Sequence, residues 1–386
     1  MTATGHAGAG GRSSAPIYLD HNATTPIALE VSQAMWPYIS EHFGNPSSTH
    51  RYGRVAKAAV DLAREQVAAL IGAQPDEIVF TSGGTEANNL AIRGTASVAT
   101  ERVAITTAVE HPATTAPLAL LGAVGWAIHQ LPVDADGRAS AAELPAGSVG
   151  LGSVILAQNE VGTIQPVRAI AHAVHRAGGI MHADAAQAVG KIPVAVDELS
   201  VDLLSIAGHK LHAPKGVGAL YVRRGTPLSP LIVGASQEDG RRPGTENVPG
   251  IVALGAACEL AAGRLGSEPA RQAALREVLW SSLSSLIPGL VRLSPASDVL
   301  PNTLAVAVPG QIGADILEAA PGVAASTGSA CHAGLHTPAP TLLAMGVTPE
   351  IAIGAIRLSL GRSTTTQDTR DAASSLAEAV KITRTH

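Results

Sequence analysis

The chain has 386 residues, which is enough for two or three domains of ordinary size and for a large apolar core. Hydrophobic residues make up 46% of the chain but aromatic residues only 2%, so Ala, Val, Leu and Ile must fill that core. The net charge of −5, with no run of Lys or Arg, argues against nucleic acid or an anionic membrane surface as a partner.

The two cysteines and the first residues bear on where the protein works. Cys258 and Cys331 are too few for a disulfide framework, which favours a cytoplasmic protein. Residues 1–16 are mostly small or polar, lack the basic start and apolar centre of a secretory signal, and predict a flexible tail. The longest uncharged stretch, 112–133, is broken by proline and glycine, so it predicts a short helix and a strand and no membrane span.

The middle of the chain alternates between strand and helix patterns. A short strand starts at Ile17, helical spacing covers 29–39 and 54–71, and Gly72 is expected to end the second helix. Helices are further predicted near Thr85 and at 113–123 and 167–177, and strands at 77–81, 102–106, 126–131, 153–157, 179–183, 201–206 and 217–222. Because these strands are almost continuously apolar, we predict an α/β fold with a mostly parallel sheet between helices.

The composition changes after about Gly263. Helical spacing at 270–287 and 314–320, with apolar strands at 303–308 and 355–360, predicts a smaller α+β domain. We therefore expect three parts: a tail over 1–16, a large domain over 17–262, and a C-terminal domain over 263–386 that carries Cys331.

Ligands of parallel sheets bind at the carboxyl ends of the strands, so the residues that follow each strand are candidates for a site. One strand is followed by FTSGGTE (80–86), which opens directly into a helix. Backbone N–H groups at this helix start, together with the Ser82 and Thr85 hydroxyls, can bind a phosphate group. An ordinary capped helix start explains the same letters at least as well.

Three further strand ends carry polar residues, and each has two interpretations. His111 can stack on a planar ring or shuttle a proton, or it can simply cap a helix. Asn159 can bind a substituent of a cofactor, or it can stabilise a turn. Asp184 follows a very apolar strand, where it can hold a protonated pyridine nitrogen or cap the next helix.

Lys210 follows the next strand, between its end and the turn at 213–216. It is therefore fixed on a rigid element beside an open cleft, where a lysine can form a Schiff base with an aldehyde cofactor. Taken alone, a solvated lysine beside a tight turn is the simpler interpretation. A phosphate-binding loop, a stacking His, a carboxylate for a ring nitrogen and a Schiff-base Lys, in that order, describe a site for pyridoxal phosphate (PLP).

From YLDHNATTP (18–26) to IRLSLGRSTT (356–365), the chain resembles the cysteine desulfurases of the class-V aminotransferase superfamily, which have the fold-type-I architecture of PLP enzymes. The motifs that match in order are FGNPSS (43–48), FTSGGTE (80–86), NEVG (159–162), HADAAQ (182–187), GHK (208–210), RPGTEN (242–247) and SAC (329–331). The resemblance implies a homodimer that converts L-cysteine to L-alanine and passes the sulfur to an acceptor or scaffold protein.

The resemblance also implies roles for single residues at the matching positions. Lys210 would form the Schiff base, Asp184 would hold the pyridine nitrogen, and His111 would stack on the ring. Arg357 would bind the substrate carboxylate in a bidentate pair, and Asn159 would also lie beside the substrate. The other cofactor contacts would come from Gln187 and Asn159 at the ring oxygen, Gly84, Thr85 and His209 at the phosphate, and Thr245 at the phosphate of the partner subunit.

The resemblance further concerns Ala207 and the two cysteines. Where the family often has Ser, two residues before the His of its Ser-Gly-His-Lys motif, this chain has Ala207, which removes a hydroxyl from the phosphate site. Cys331 would attack the substrate sulfur from a run of small residues that predicts a mobile loop, with His332 helping to form the thiolate. Cys258, in an apolar run, is expected to be buried and inert.

Three alternatives remain open at this point. Selenocysteine lyase uses a similar scaffold, and the segments around Cys331 and at 356–365 resemble that branch too. A PLP aminotransferase or epimerase would never use Cys331, and a non-catalytic relative is disfavoured by the intact Lys210 and Asp184. The sequence does not identify the sulfur acceptor, nor whether the sulfur serves iron–sulfur clusters, thio-cofactors or nucleic-acid modification.

Overall fold

The computed structural model describes residues 15–327, 329–332 and 335–384. Its strands are β1 (Ile17–Tyr18), β2 (Ile78–Thr81), β3 (Val103–Thr107), β4 (Ala127–Leu131), β5 (Leu151–Ile155), β6 (Ile180–Asp184), β7 (Leu203–Ala207), β8 (Gly218–Val222), β9 (Val291–Arg292), β10 (Thr303–Ala307), β11 (Val323–Ala324), β12 (Ser326–Thr327), β13 (Ser329–His332), β14 (Leu335–Pro338) and β15 (Ala355–Ser359). Its helices are α1 (Leu29–Ser40), α2 (Arg51–Ile71), α3 (Gly84–Ala96), α4 (Pro112–Ala123), α5 (Val167–Arg176), α6 (Val196–Leu199), α7 (Val248–Ala262), α8 (Glu268–Leu286), α9 (Gly313–Glu318), α10 (Pro340–Ala344), α11 (Pro349–Ala352) and α12 (Thr366–Thr383).

Within the described residues, a sheet of seven strands lies at the centre of the fold in the order β2-β8-β7-β6-β5-β3-β4. The pairs from β7 through β6, β5 and β3 to β4 are parallel, whereas β8 runs antiparallel to both of its neighbours. Strands β5, β7 and β8 are buried along their whole length, as expected for apolar strands with both faces covered. The predicted α/β fold with a mostly parallel sheet is confirmed.

Small side chains fill much of the core because helices approach each other closely. Helices α2 and α7 are in contact, and a Cβ on Gly255 of α7 would lie 2.6 Å from the Cα of Ala63 in α2. Only a glycine fits such an approach. Cys258 on the same helix is fully buried, as predicted, and burial raises the pKa of its thiol to about 12.

A second apolar core lies in the C-terminal part of the chain, beside the antiparallel strands β12-β15-β10-β9. Leu19 belongs to this core, since β1 pairs with β11 and Asp20 forms a β-bridge with Ser359. The amino-terminal segment therefore crosses to the C-terminal part before the chain enters the central sheet. The division of domains at residue 262 stays a prediction; α7 ends at Ala262 and α8 begins at Glu268.

Most predicted element boundaries lie close to the observed ones. Gly72, with a φ of 69°, ends α2 as predicted, whereas the helix begins at Arg51 because His50 accepts a hydrogen bond from the Gly53 N–H group. Strand β5 ends at Ile155 and not at 157, because Ala157 forms an antiparallel bridge with Ile164 and no longer pairs with β6. Helix α12 is absent from the sequence prediction. In the part of the chain that the structure describes, no helix is long and apolar enough to cross a membrane.

Candidate active site

A cavity of about 390 Å³ opens where β5, β6 and β7 end. This volume lies in the range of small-molecule sites, about 300–1,000 Å³. The predicted site residues that line the cavity are Gly84, Thr85, His111, Asn159, Asp184, Gln187, His209, Lys210 and Arg357. Residues that lie far apart in the sequence are thus brought to one edge of the sheet.

Lys210 lies in a single helical turn, Gly208–Lys210, directly after β7. Its Nζ donates hydrogen bonds to the main-chain oxygens of Asn22 (2.6 Å) and Ala23 (2.8 Å). Burial lowers the pKa of this amine to about 8, and the positive charge of Arg357 acts in the same direction. About a tenth of the amine is therefore neutral and nucleophilic at pH 7, compared with less than about a thousandth for an ordinary lysine.

Asp184 ends β6, and its side chain is almost fully buried. Its Oδ1 accepts a hydrogen bond from the main-chain N–H of Ala186 at 3.0 Å. This contact stabilises the turn after β6 and is not the helix cap of the simpler interpretation, because the next helix, α6, begins only at Val196. Its Oδ2 accepts from Nδ2 of Asn88 in α3 at 2.6 Å. Among the described residues, no cationic side chain forms an ion pair with this carboxylate. A buried negative charge without a cation favours a positively charged group of a ligand.

His111 caps α4, because its Nδ1 accepts a hydrogen bond from the Ala113 N–H group at 3.0 Å. In the neutral ring the proton must then lie on Nε2. Burial lowers the pKa of His111; Asp184 opposes this effect and Lys210 adds to it. The neighbouring Glu110 is buried against β5, and burial raises the pKa of its carboxyl group to about 8.

The start of α3 offers backbone N–H groups to the cavity at Gly84 and Thr85. Gly83 precedes the helix with a φ of 148°, a conformation that favours glycine, and no side chain caps the helix there. A Cβ on Gly84 would lie 3.1 Å from the Cβ of Ala207, so this wall of the cavity consists of small residues. An uncapped helix start of this kind is a suitable site for an anion.

His209 lines the cavity next to Lys210. Its Nδ1 lies 3.2 Å from Oγ1 of Thr24, and its main-chain oxygen accepts a hydrogen bond from the Thr25 N–H group at 2.9 Å. Burial lowers the pKa of His209 to about 4, and the charge of Lys210 contributes in the same direction. The ring is therefore neutral at pH 7 and can act as an uncharged N–H donor.

Arg357 on β15 brings the C-terminal part of the chain to the cavity. Its Nη2 forms an ion pair with Oδ1 of Asp20 at 2.6 Å, and it also donates to Ser326 Oγ at 2.9 Å. Its Nη1 donates to the main-chain oxygen of Asn159 at 3.1 Å. Its Nε is buried and has no hydrogen-bond partner among the described residues. A buried N–H group without a partner is costly, and the carboxylate of a substrate would satisfy it.

Two residues that sequence reasoning missed hold several of these groups together. The main-chain oxygen of Asn22 binds Lys210, and its side chain reaches Asn159. Lys191 donates hydrogen bonds to the side-chain oxygens of Asn22 and Gln187. The signals available in the sequence were the polar turn after β1 and a lysine soon after the HADAAQ motif, and neither indicates that the two would meet.

The predicted residues Ser82 and Thr245 do not line the Lys210 cavity. Thr245 is exposed and lines a neighbouring cavity together with Ser82 and Arg242. Cys331 lies in β13, whose backbone pairs with β14 in an antiparallel hairpin; the placement of its side chain and of residues 333–334 lies outside the description. The mobility predicted for this segment stays a prediction.

Comparisons with known proteins agree with this geometry. The sequence model of the family "Aminotransferase class-V" matches residues 17–371. A Dictyoglomus turgidum protein named cysteine desulfurase IscS is 44% identical over 359 residues, which cover 91% of each chain. A solved structure described as a NifS-like protein has a TM-score of 0.89 and 37% identity, and the match covers 95% of this chain and 100% of that one.

A further solved structure, described as SspA in complex with cysteine, has a TM-score of 0.78 and 34% identity over 89% of this chain and 98% of that one. The similarity therefore extends over nearly the whole chain in both sequence and structure. The chain belongs to the class-V aminotransferase family and, within it, to the cysteine desulfurases.

Proposed function

We propose that this chain binds PLP in the Lys210 cavity and converts L-cysteine to L-alanine, with transfer of the sulfur to Cys331 as a persulfide. PLP is the cofactor of its family. The observation that carries the proposal is a half-buried amine with a pKa of about 8 in the same cavity as the buried carboxylate of Asp184, which has no cationic partner among the described residues.

The residues of the cavity fit the chemical groups of PLP. Lys210 is the amine for the aldehyde, Asp184 is the anion for the pyridine nitrogen, and His111 lies where it can cover the ring. The phosphate would bind at the uncapped start of α3, and the contacts for the remaining groups would come from Gly84, Thr85, Asn159, Gln187 and His209. When bound, PLP supplies an electron sink for the negative charge that develops at the substrate Cα.

Side chains of the protein bind the substrate, transfer its proton and accept its sulfur. Arg357 binds the substrate carboxylate through its buried Nε, which has no partner among the described residues, with Asn159 beside it. Lys210, with a pKa near neutrality, can take a proton from the substrate and return it. Cys331 as a thiolate attacks the substrate sulfur: an S–S bond forms, the Cβ–S bond breaks, and its electron pair is protonated to give alanine.

The exposed aromatic residues support a homodimer. The chain has only three Trp, four Tyr and two Phe. Nevertheless Trp36, Phe43 and Tyr52 are 63%, 79% and 57% exposed, and the rings of Phe43 and Tyr52 stack with centroids 5.3 Å apart. Aromatic residues are enriched at protein interfaces. We propose that this region meets a second copy and that the exposed Thr245 completes the phosphate site of the partner subunit.

The central experiment measures alanine and persulfide formation from L-cysteine by the purified protein, with its absorption spectrum. We expect a yellow protein that releases alanine and labels Cys331 with a persulfide. A colourless protein that PLP cannot reconstitute would contradict the cofactor assignment. Transfer of an amino group to a 2-oxo acid without alanine release from cysteine would contradict the desulfurase assignment.

The dimer is tested by sedimentation of the double variant Trp36→Glu, Phe43→Glu. We expect a monomer that also retains PLP poorly, because it lacks the partner's contribution to the phosphate site. Leu120→Glu is the matched control, since Leu120 is 58% exposed on α4, and it should stay dimeric. A wild-type protein that sediments as a monomer with full activity would rule out this proposal.

A further inference from the structure

Lys191 is a second lysine next to the proposed cofactor site, and desolvation acts strongly on its amine. Its Nζ donates hydrogen bonds to Gln187 Oε1 at 2.6 Å and to Asn22 Oδ1 at 2.9 Å. Burial lowers the pKa of this amine well below its ordinary value, and the charges of Lys210 and Arg357 lower it further. In the described part of the chain, no carboxylate forms an ion pair with it. A lysine buried without a counter-charge is costly, so a functional reason for its presence is required.

The amine helps to orient two side-chain amides; on Asn22 it acts together with Asn302, whose Nδ2 also donates to Asn22 Oδ1, at 3.0 Å. Because an ammonium group has donors only, Gln187 and Asn22 must turn their oxygens towards Lys191 and their N–H₂ groups away from it. The Nε2 of Gln187 then donates to the main-chain oxygen of Asn22 at 2.9 Å, the same oxygen that accepts from Lys210. The Nδ2 of Asn22 likewise donates to the main-chain oxygen of Asn159 at 3.2 Å.

We propose that Lys191 is a positioning residue that keeps an N–H group of Gln187, and not its oxygen, towards the ring oxygen of the cofactor. This inference rests on the proposed function, in which Gln187 lies at that oxygen. An N–H donor stabilises an anionic ring oxygen, whereas an amide oxygen in its place would repel it. Asn22, whose side-chain oxygen accepts from both Lys191 and Asn302, also donates to the main-chain oxygen of Asn159, which accepts from Arg357.

The orientation does not depend on whether Lys191 is charged. A neutral amine still has two N–H donors, one for each amide oxygen. Lys191 also lines a cavity of about 50 Å³ together with His21, both of whose ring nitrogens are buried without a hydrogen-bond partner in the described residues. This cavity leaves room for the larger head group of an arginine, so Lys191→Arg is a suitable conservative variant.

The test compares Lys191→Met, which keeps the length of the side chain but has no donor, with Lys191→Arg. Lys57→Met is the matched control, since Lys57 lies on the surface of α2 and pairs only with Asp61. We expect Lys191→Met to bind PLP about tenfold more weakly, the effect of one lost hydrogen bond to a charged group. The pH midpoint of the cofactor's absorption should rise, because the lost donor had stabilised the anionic ring oxygen.

The conservative and control variants decide between positioning and packing. Lys191→Arg should restore both the affinity and the pH midpoint, and Lys57→Met should match the wild type. An unchanged midpoint and affinity in Lys191→Met would overturn the inference. If Lys191→Met does not fold, Lys191→Gln, which has a single N–H₂ group for two oxygens, should show the same two shifts at smaller size, and wild-type values for it would overturn the inference too.

A crystal structure of the variant without cofactor separates this inference from the proposed function. In Lys191→Met, the Gln187 side chain should leave the main-chain oxygen of Asn22, because its own oxygen no longer has a donor. An unmoved Gln187 would overturn the positioning role. A wild-type protein that binds no PLP would instead refute the proposed function, and the structures of the cofactor-free proteins would still decide the role of Lys191.

Discussion

The variant Asp184→Asn separates charge from shape at the centre of the proposed cofactor site. An asparagine keeps one oxygen for the Ala186 N–H group, so the turn after β6 is preserved. It turns an N–H₂ group towards the N–H₂ group of Asn88, which now lies 2.6 Å from the carboxylate. A flip of the Asn88 amide removes this conflict, because its Oδ1, which has no partner in the described residues at present, can then accept from the new amide and from the Thr114 hydroxyl.

The stability of the protein and its turnover should therefore respond very differently to this substitution. We expect the free energy of unfolding to change by no more than about 1 kcal/mol, the size of one exchanged hydrogen bond. Turnover should fall by about 10²–10³-fold, or about 2.7–4 kcal/mol, as is typical when a preorganised group that stabilises charge is removed. The physical reason is that a neutral amide cannot keep the pyridine nitrogen protonated.

The assay is alanine release at saturating L-cysteine, with the PLP content and thermal unfolding measured on the same preparation. Asp197→Asn is the control, because Asp197 is an exposed carboxylate that pairs with Arg223 on the surface. It should leave all three quantities unchanged. Near-normal turnover of Asp184→Asn would refute the reasoning and leave Asp184 with only its contact in the turn after β6. A large loss of stability would show that the expected Asn88 flip does not occur.

Three further predictions concern Lys210, Cys331 and Ala207. Because the pKa of Lys210 is about 8, its rate of reaction with PLP should rise about tenfold per pH unit below pH 8 and level off above it. Borohydride trapping measures this rate, and a rate that still increases up to pH 10 would contradict the pKa. Cys331→Ser should keep the cofactor but lose alanine and persulfide formation from cysteine, because a hydroxyl has no anionic form near neutral pH. We expect residual cleavage of selenocysteine, since selenium is the better leaving group. Full desulfurase activity of the variant would exclude Cys331 as the acceptor. Ala207→Ser should slow PLP dissociation by up to about tenfold by adding a donor next to Gly84, and unchanged dissociation would place the phosphate elsewhere.

The strand ends could be predicted because each carries its own local signal. Asp184 and Lys210 each come at the end of an almost purely apolar segment. The run of apolar residues and the turn residues after it predict where each strand ends, and they therefore place both side chains at one edge of a sheet. The buried position of Cys258 follows in the same way from its apolar surroundings. These inferences need only the neighbouring residues and the rule that parallel strands end at the same edge.

Contacts between distant segments could not be predicted in this way. Nothing near Asn22 indicates that its carbonyl group binds Lys210, which lies 188 positions later. In the sequence, Lys191 resembles an ordinary turn residue, because only the folded structure brings Asn22 into contact with it and with Gln187. Helix α12 is a different case, since Thr365 and Asp368 form a capping box at its start that sequence reasoning could have used.

The amino-terminal segment that holds Lys210 can reach its final position only after the C-terminal part of the chain has been synthesised. Strand β1 pairs with β11, and Asp20 forms its ion pair with Arg357, 337 positions away. At about 5–20 residues per second, a ribosome releases these partners about 20–70 s apart. Until then β1 has no edge to join and is open to pairing with other chains. The site thus matures late in synthesis, and a ribosome that stalls before β15 leaves a central sheet without a usable cofactor site.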